Sequence, residues 1–115
     1  MQWGGKYGNA LQAASYHGYE AIVKILLENG AEVNAKGGKY GTALQAASYQ
    51  GYKAIVKLLL ENGAKVNVKG GKFENALQAA SYKGYEMIVY LLLENGADAM
   101  EEDMGVHSKG LQGYI

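Results

Sequence analysis

Only two histidines occur in this chain, His17 and His107, and no pair of carboxylates stands at ligand spacing to either. A structural or catalytic zinc needs three or four such donors converging on one point, so no metal is expected. Cysteine is absent, which removes disulfides and thiolate metal sites together. Serine recurs as Ser15, Ser48 and Ser81, each following two alanines and preceding a tyrosine. That reads as a small-residue packing position within a helix, and no histidine and acid accompany it to activate a nucleophile. The strings Gly4-Gly5-Lys6, Gly37-Gly38-Lys39 and Gly70-Gly71-Lys72 invite comparison with a phosphate-binding loop. That motif requires Gly-Lys followed by Ser or Thr, with an earlier glycine at fixed distance; here Tyr7, Tyr40 and Phe73 follow the lysines. What remains is a lysine beside an aromatic ring, three times over. Such pairs can stack on single-stranded nucleic acid or anchor a protein partner. The chain has no arginine and a formal net charge of +0, so nucleic acid is not expected as a partner. No catalytic residue and no cofactor is assigned, and the chain is not expected to be an enzyme.

These residues are carried on a repeat. Gly4-Gly5-Lys6-Tyr7 returns at Gly37 and Gly70, Ala10-Leu11-Gln12-Ala13-Ala14-Ser15-Tyr16 returns at Ala43 and Ala76, and Leu26-Leu27-Glu28-Asn29-Gly30 returns at Leu59 and Leu92, always at a spacing of 33 residues. A fixed period in this range means stacked supersecondary units, each burying its apolar face against its neighbours. The 115 residues make one domain at most, and 49% hydrophobic against 19% charged residues make it globular. Repeats are expected at about 4–36, 37–69 and 70–102, with a frayed partial repeat over 103–115, all within one domain of residues 1–115. The longest apolar runs are far too short to span a bilayer, and Met1-Gln2-Trp3-Gly4-Gly5-Lys6 lacks the apolar stretch of a signal peptide. The expectation is a soluble, intracellular, cytoplasmic protein that binds no membrane.

In the middle unit, Thr42 suits the N-cap of a short helix over Ala43–Tyr49, as Asn9 and Asn75 do in theirs, and Gly51 supplies its left-handed end. A second helix runs from about Tyr52 to Asn62, with Ile55, Val56, Leu59 and Leu60 on one buried stripe and Leu58 at its edge. Asn62-Gly63 closes it, and Ala64 to Gly71 reads as an extended loop or hairpin. Each unit is therefore helix, tight turn, antiparallel helix and protruding loop, and the fold class is all-α.

The string Thr42-Ala43-Leu44-Gln45, then Ala46-Ala47, Gly51, Ile55-Val56, Leu59-Leu60, Gly63-Ala64 and Val66-Asn67 resembles an ankyrin repeat, and the likeness covers roughly residues 4 to 98. It departs from the family pattern in placing Ala10, Ala43 and Ala76 where proline is usual, and Gln12, Gln45 and Gln78 where histidine is usual. Glutamine can still bond a neighbouring loop backbone. The family's glycine before the cap is replaced by Tyr40, with Gly41 one residue later. The Gly-Gly-Lys-Tyr and Ala-Leu-Gln-Ala-Ala-Ser-Tyr wording also resembles ankyrin arrays of large fungal proteins, including NOD-like receptor types. The first resemblance implies an ankyrin-type α-solenoid and a protein–protein interaction module, with loop tips and short helices forming a concave binding face.

On that face the resemblance places Tyr16, Tyr49 and Tyr82, followed by His17, Gln50 and Lys83, the last set differing in every unit. The loop residues Lys6, Tyr7, Lys39, Tyr40, Lys72 and Phe73 complete the expected contact set, because large aromatics on a rigid scaffold make good anchors. Those loop aromatics could instead pack on the adjacent loop and hold the stack in register, and Tyr19, Tyr52 and Tyr85 are expected to pack between units. The partner is expected to be another protein. The alternative is a structural spacer or self-associating segment of a longer array. Neither end shows a polar-faced terminal unit, so the inter-repeat faces, taken to carry Leu11, Ile22 and Leu26 at one end and Leu77, Ile88 and Leu92 at the other, are expected to be open to a second copy.

Overall fold

A computed structural model of the chain describes residues 9–99. Among them are six helices in three antiparallel pairs, and no strand: α1 Ala10–His17 with α2 Glu20–Glu28, α3 Ala43–Gln50 with α4 Lys53–Glu61, and α5 Ala76–Lys83 with α6 Glu86–Glu94. The expected partial repeat over 103–115 lies outside the described residues.

Each first helix starts where a side chain can accept from an orphan backbone N–H. The Asn9 and Asn75 amide oxygens accept from the backbone N–H of Gln12 and Gln78 at 2.9 and 2.8 Å. Thr42 does the same for Gln45 at 3.2 Å, and the Gln45 side chain accepts back from the Thr42 N–H at 2.8 Å. That reciprocal pair is a capping box. The second helices begin without a side-chain cap but end on one: Asn29, Asn62 and Asn95 each donate through Nδ2 to the carbonyl one turn back, at 2.8–2.9 Å. They are shorter than expected by one residue at each end, because Tyr52 and Asn62 are the capping positions.

The core is a single apolar layer threading all three units, with Val23, Leu44, Ile55, Val56, Leu59, Ile88 and Leu92 fully covered. Leu58 and Leu60 are half-buried, so the stripe of α4 is a little narrower than the sequence pattern suggests. The short helices pack on one another, α1 on α3 and α3 on α5, more closely than the long helices do. Their alanines and serines permit this. Ser15 and Ser48 are completely buried and their hydroxyls bond to nothing, so the position is filled for its size.

Polar bonds tie each unit to the next with the same period as the sequence. Gln12 donates through Nε2 to the carbonyls of Ala35 and Gly41 at 2.8 and 2.6 Å, and Gln45 to those of Gly70 and Glu74 at 2.7 and 3.1 Å. Lower in the stack, Asn34 donates to the Gly63 carbonyl and accepts from the Lys65 N–H; Asn67 repeats this with Gly96 and Asp98. The loops do not form strands but are closed turns, with the Gly37 N–H donating to the Gly41 carbonyl and the Gly70 N–H to that of Glu74.

One expectation holds in an unexpected form, and another changes. Tyr52 and Tyr85 do pack between units, but against glycine. A Cβ on Gly18 would stand 2.7 Å from Cζ of Tyr52, and one on Gly51 2.7 Å from Cζ of Tyr85, so the far end of each ring sits directly on the glycine of the preceding turn. The residues assigned to the open end faces also need correcting. Leu11, Ile88 and Leu92 are buried, and Leu26 and Leu77 half-buried, so these five are already covered within the described stack. Of the six, only Ile22 is exposed.

Candidate functional site

One face of the stack carries a continuous row of aromatic rings. Tyr16, Tyr49 and Tyr82 come from the last turns of α1, α3 and α5, and Tyr40 and Phe73 come from the loops that precede α3 and α5. The Gly37–Gly41 turn folds each loop back over the start of the following helix, so its aromatic ring slots between two helix-borne rings. The centroids follow one another at 5.2 Å (Tyr16–Tyr40), 4.9 Å (Tyr40–Tyr49), 5.0 Å (Tyr49–Phe73) and 4.9 Å (Phe73–Tyr82), with interplanar angles of 18–30°. This is offset stacking, worth about 0.5–1.5 kcal/mol per pair beyond area burial.

Position in the row decides exposure. Tyr40, sandwiched between two tyrosines, is 7% exposed, whereas Tyr82 at the end of the described row is 70% exposed; Tyr16, Tyr49 and Phe73 are half-buried. Tyr40 was expected as an exposed anchor, and this burial leaves it almost no surface for a partner. Burial, reinforced by the neighbouring Tyr16 and Tyr49 hydroxyls, pushes the Tyr40 hydroxyl from 10.0 up to about 12.

Lysines border the rings. Lys39 Nζ lies 5.5 Å from the Tyr40 centroid and Lys72 Nζ 5.3 Å from that of Phe73, both exposed. Lys83 Nζ stands 4.5 Å from the Tyr49 ring and 6.0 Å from that of Tyr85. Cation–π attraction at such distances is modest, about 0.5–1 kcal/mol at exposed sites, but it fixes where the charge sits. The variable position reaches back onto the preceding unit wherever there is one. Gln50 donates to the Tyr16 carbonyl at 3.3 Å, and Lys83 covers the Tyr49 ring. His17 packs edge-on to Tyr16 at 5.1 Å and stacks on Tyr19 at 5.7 Å. Of the expected contact set, Tyr16, His17, Lys39, Tyr40, Tyr49, Gln50, Lys72, Phe73, Tyr82 and Lys83 therefore lie along one strip, and Lys6 and Tyr7 lie outside the described residues.

The loop and helix aromatics looked like two separate sets in the sequence. Their common period was the signal that they form one, and only a turn tight enough to lay the loop on the helix makes them alternate. Among the described residues no three His, Asp or Glu side chains converge on a metal-sized point, and no helix is long and apolar enough to cross a membrane.

The family whose sequence profile is described as ankyrin repeats (three copies) matches residues 11–103. The chain belongs to the ankyrin repeat family. Ankyrin repeats are in general protein–protein interaction modules and typically non-catalytic. No curated protein matches the chain. Relative to the usual ankyrin pattern, this ankyrin chain uses glutamine for its inter-loop bonds, and Gln12 and Gln45 each reach two loop carbonyls.

Proposed function

We propose that this ankyrin domain binds a protein partner along the aromatic strip, with Tyr16, Tyr49, Phe73 and Tyr82 as apolar contacts and Lys39, Lys72 and Lys83 supplying charge. His17, Gln50 and Lys83 are the positions that distinguish one unit from the next, and Tyr40 acts from within, holding its neighbours' rings in place. The observation that carries this reading is the uninterrupted stack of five rings at spacings of about 5 Å, edged by three lysines. Rings fixed in a stack lose little entropy on binding, the property that makes aromatic side chains effective anchors. The partner surface that suits it presents carboxylates to the lysines and apolar groups to the rings. Chemistry is not part of this reading, and neither is a cofactor.

The test is affinity purification from extracts of the source cells with the wild-type chain, a Lys39→Ala/Lys72→Ala/Lys83→Ala variant, and a Lys57→Ala control on the exposed side of α4. Proteins captured by the wild type and the control, and lost with the triple variant, support the strip as the contact surface. Equal capture by all three removes it.

A further inference from the structure

The interface between units is built twice inside this chain, and each end of the described stack exposes one half of it. At the amino-terminal side, Ile22 is 46% exposed, while its counterparts Ile55 and Ile88 are 2% exposed because a preceding unit covers them. Tyr19 is 55% exposed, while its counterparts Tyr52 and Tyr85 lie on Gly18 and Gly51 of the unit before. The far side shows the complement. Ser15 and Ser48 are fully buried beneath the following unit, and Ser81 is exposed. Gly18 and Gly51 each meet a tyrosine ring, and among the described residues nothing stands within 4 Å of where a Cβ on Gly84 would be.

We propose that copies of this chain associate head to tail, the first unit of one seating Tyr19 on Gly84 and Ile22 against the Ser81 side of another, so that the solenoid continues across chains. The contact surface is distinct from the aromatic strip and does not depend on the binding role given to it. Geometry favours a second copy because the interface already exists in register between the units of one chain, and the exposed halves keep its Tyr19, Ile22, Ser81 and Gly84 positions. The formal net charge of +0 provides no repulsion against it. The two faces are different surfaces related by the screw of the stack, so the association is open and adds further copies instead of closing at a dimer.

Sedimentation velocity of the full chain tests this with two one-sided blocks, Ile22→Lys at the head and Ser81→Lys at the tail. Both sites are exposed, and circular dichroism checks that the helices persist. The wild type should show a mass that rises with concentration, and each variant alone should stay monomeric. An equimolar mixture should form a heterodimer and nothing larger, because one live tail meets one live head. If Ser81→Lys unfolds, Leu93→Lys on the same unit replaces it. A wild type that stays monomeric at high concentration, single variants that still polymerise, or a mixture that stays monomeric would each overturn the proposal.

Discussion

Tyr40, in a loop, and Tyr82, in the last turn of a helix, belong to one row of rings yet differ sharply in burial, and that difference is measurable. Replacing Tyr40 by alanine opens a gap between two rings in a nearly closed sandwich, and a loss of about 3–5 kcal/mol is expected, the range of buried aromatic truncations. Tyr82→Ala removes a ring stacked, among the described residues, on one side only, and should change stability by less than about 1 kcal/mol. Chemical denaturation of both variants checks the order, and equal losses would contradict the sandwich. The Tyr40 hydroxyl adds a pH dependence. Its folded value is raised from 10.0 to about 12, so folding favours the neutral phenol. That contribution is fully present below pH 10 and disappears as pH rises through the window up to about 12. Thermal melts across that window, with tyrosinate absorbance followed in parallel, should show stability falling as pH rises, and the fall should be reduced in Tyr40→Phe.

At the scale of the elements, the loop before α5 departs from the one before α3. Glu74 holds φ +72°, a left-handed conformation that side chains other than glycine and asparagine rarely adopt, where Gly41 in the preceding unit holds φ +84°. A Cβ on Gly41 would run into the Gln45 amide that closes the capping box, so glycine is the residue this turn is shaped for. Glu74→Gly is therefore expected to stabilise the fold by about 0.5–1 kcal/mol, the relief of left-handed strain less the added flexibility of the unfolded chain. Equilibrium unfolding reads it directly, and a loss of stability would mean that the Glu74 side chain makes a compensating contact. The helix boundaries were otherwise legible. Asn9, Thr42 and Asn75 cap as their hydroxyl and amide chemistry requires, and Gly18, Gly51 and Gly84 end the short helices at φ 79–85°.

For the molecule as a whole, stability is a sum of unit terms and interface terms. The α3–α4 pair is covered on both sides, and almost every residue of α3 is buried, while α1–α2 and α5–α6 each have one described neighbour. Native-state hydrogen exchange should therefore show the amides of α3 and α4 as the slowest, with α2 and α6 opening at lower free energy. Uniform protection across the six helices would indicate that the stack opens only as one unit. Under the association proposed above, protection at α2 and α6 should rise with protein concentration while that of α3 and α4 stays unchanged.

The sequence by itself determined the period, the helix pairs, their caps and the family, because each depends on local chemistry repeated three times. An N-cap, a left-handed glycine and an apolar stripe are decided within a few residues, and the 33-residue spacing then leaves stacking as the only way to cover each stripe. It also showed which residues differ between units, and that His17, Gln50 and Lys83 stand beside the tyrosines. Tertiary structure alone decided the rest. That Tyr40 and Phe73 alternate with Tyr16, Tyr49 and Tyr82 depends on a turn bringing residues from adjacent units to within 5.2 Å, and no local pattern encodes that approach. The same holds for the ends. Leu11 and Leu92 look as available as Ile22 in the repeat, yet the first two are buried and the third is exposed. Which side of a helix meets its own unit and which meets the next is set by the angle and offset of stacking, a property of the assembled units that no single unit contains.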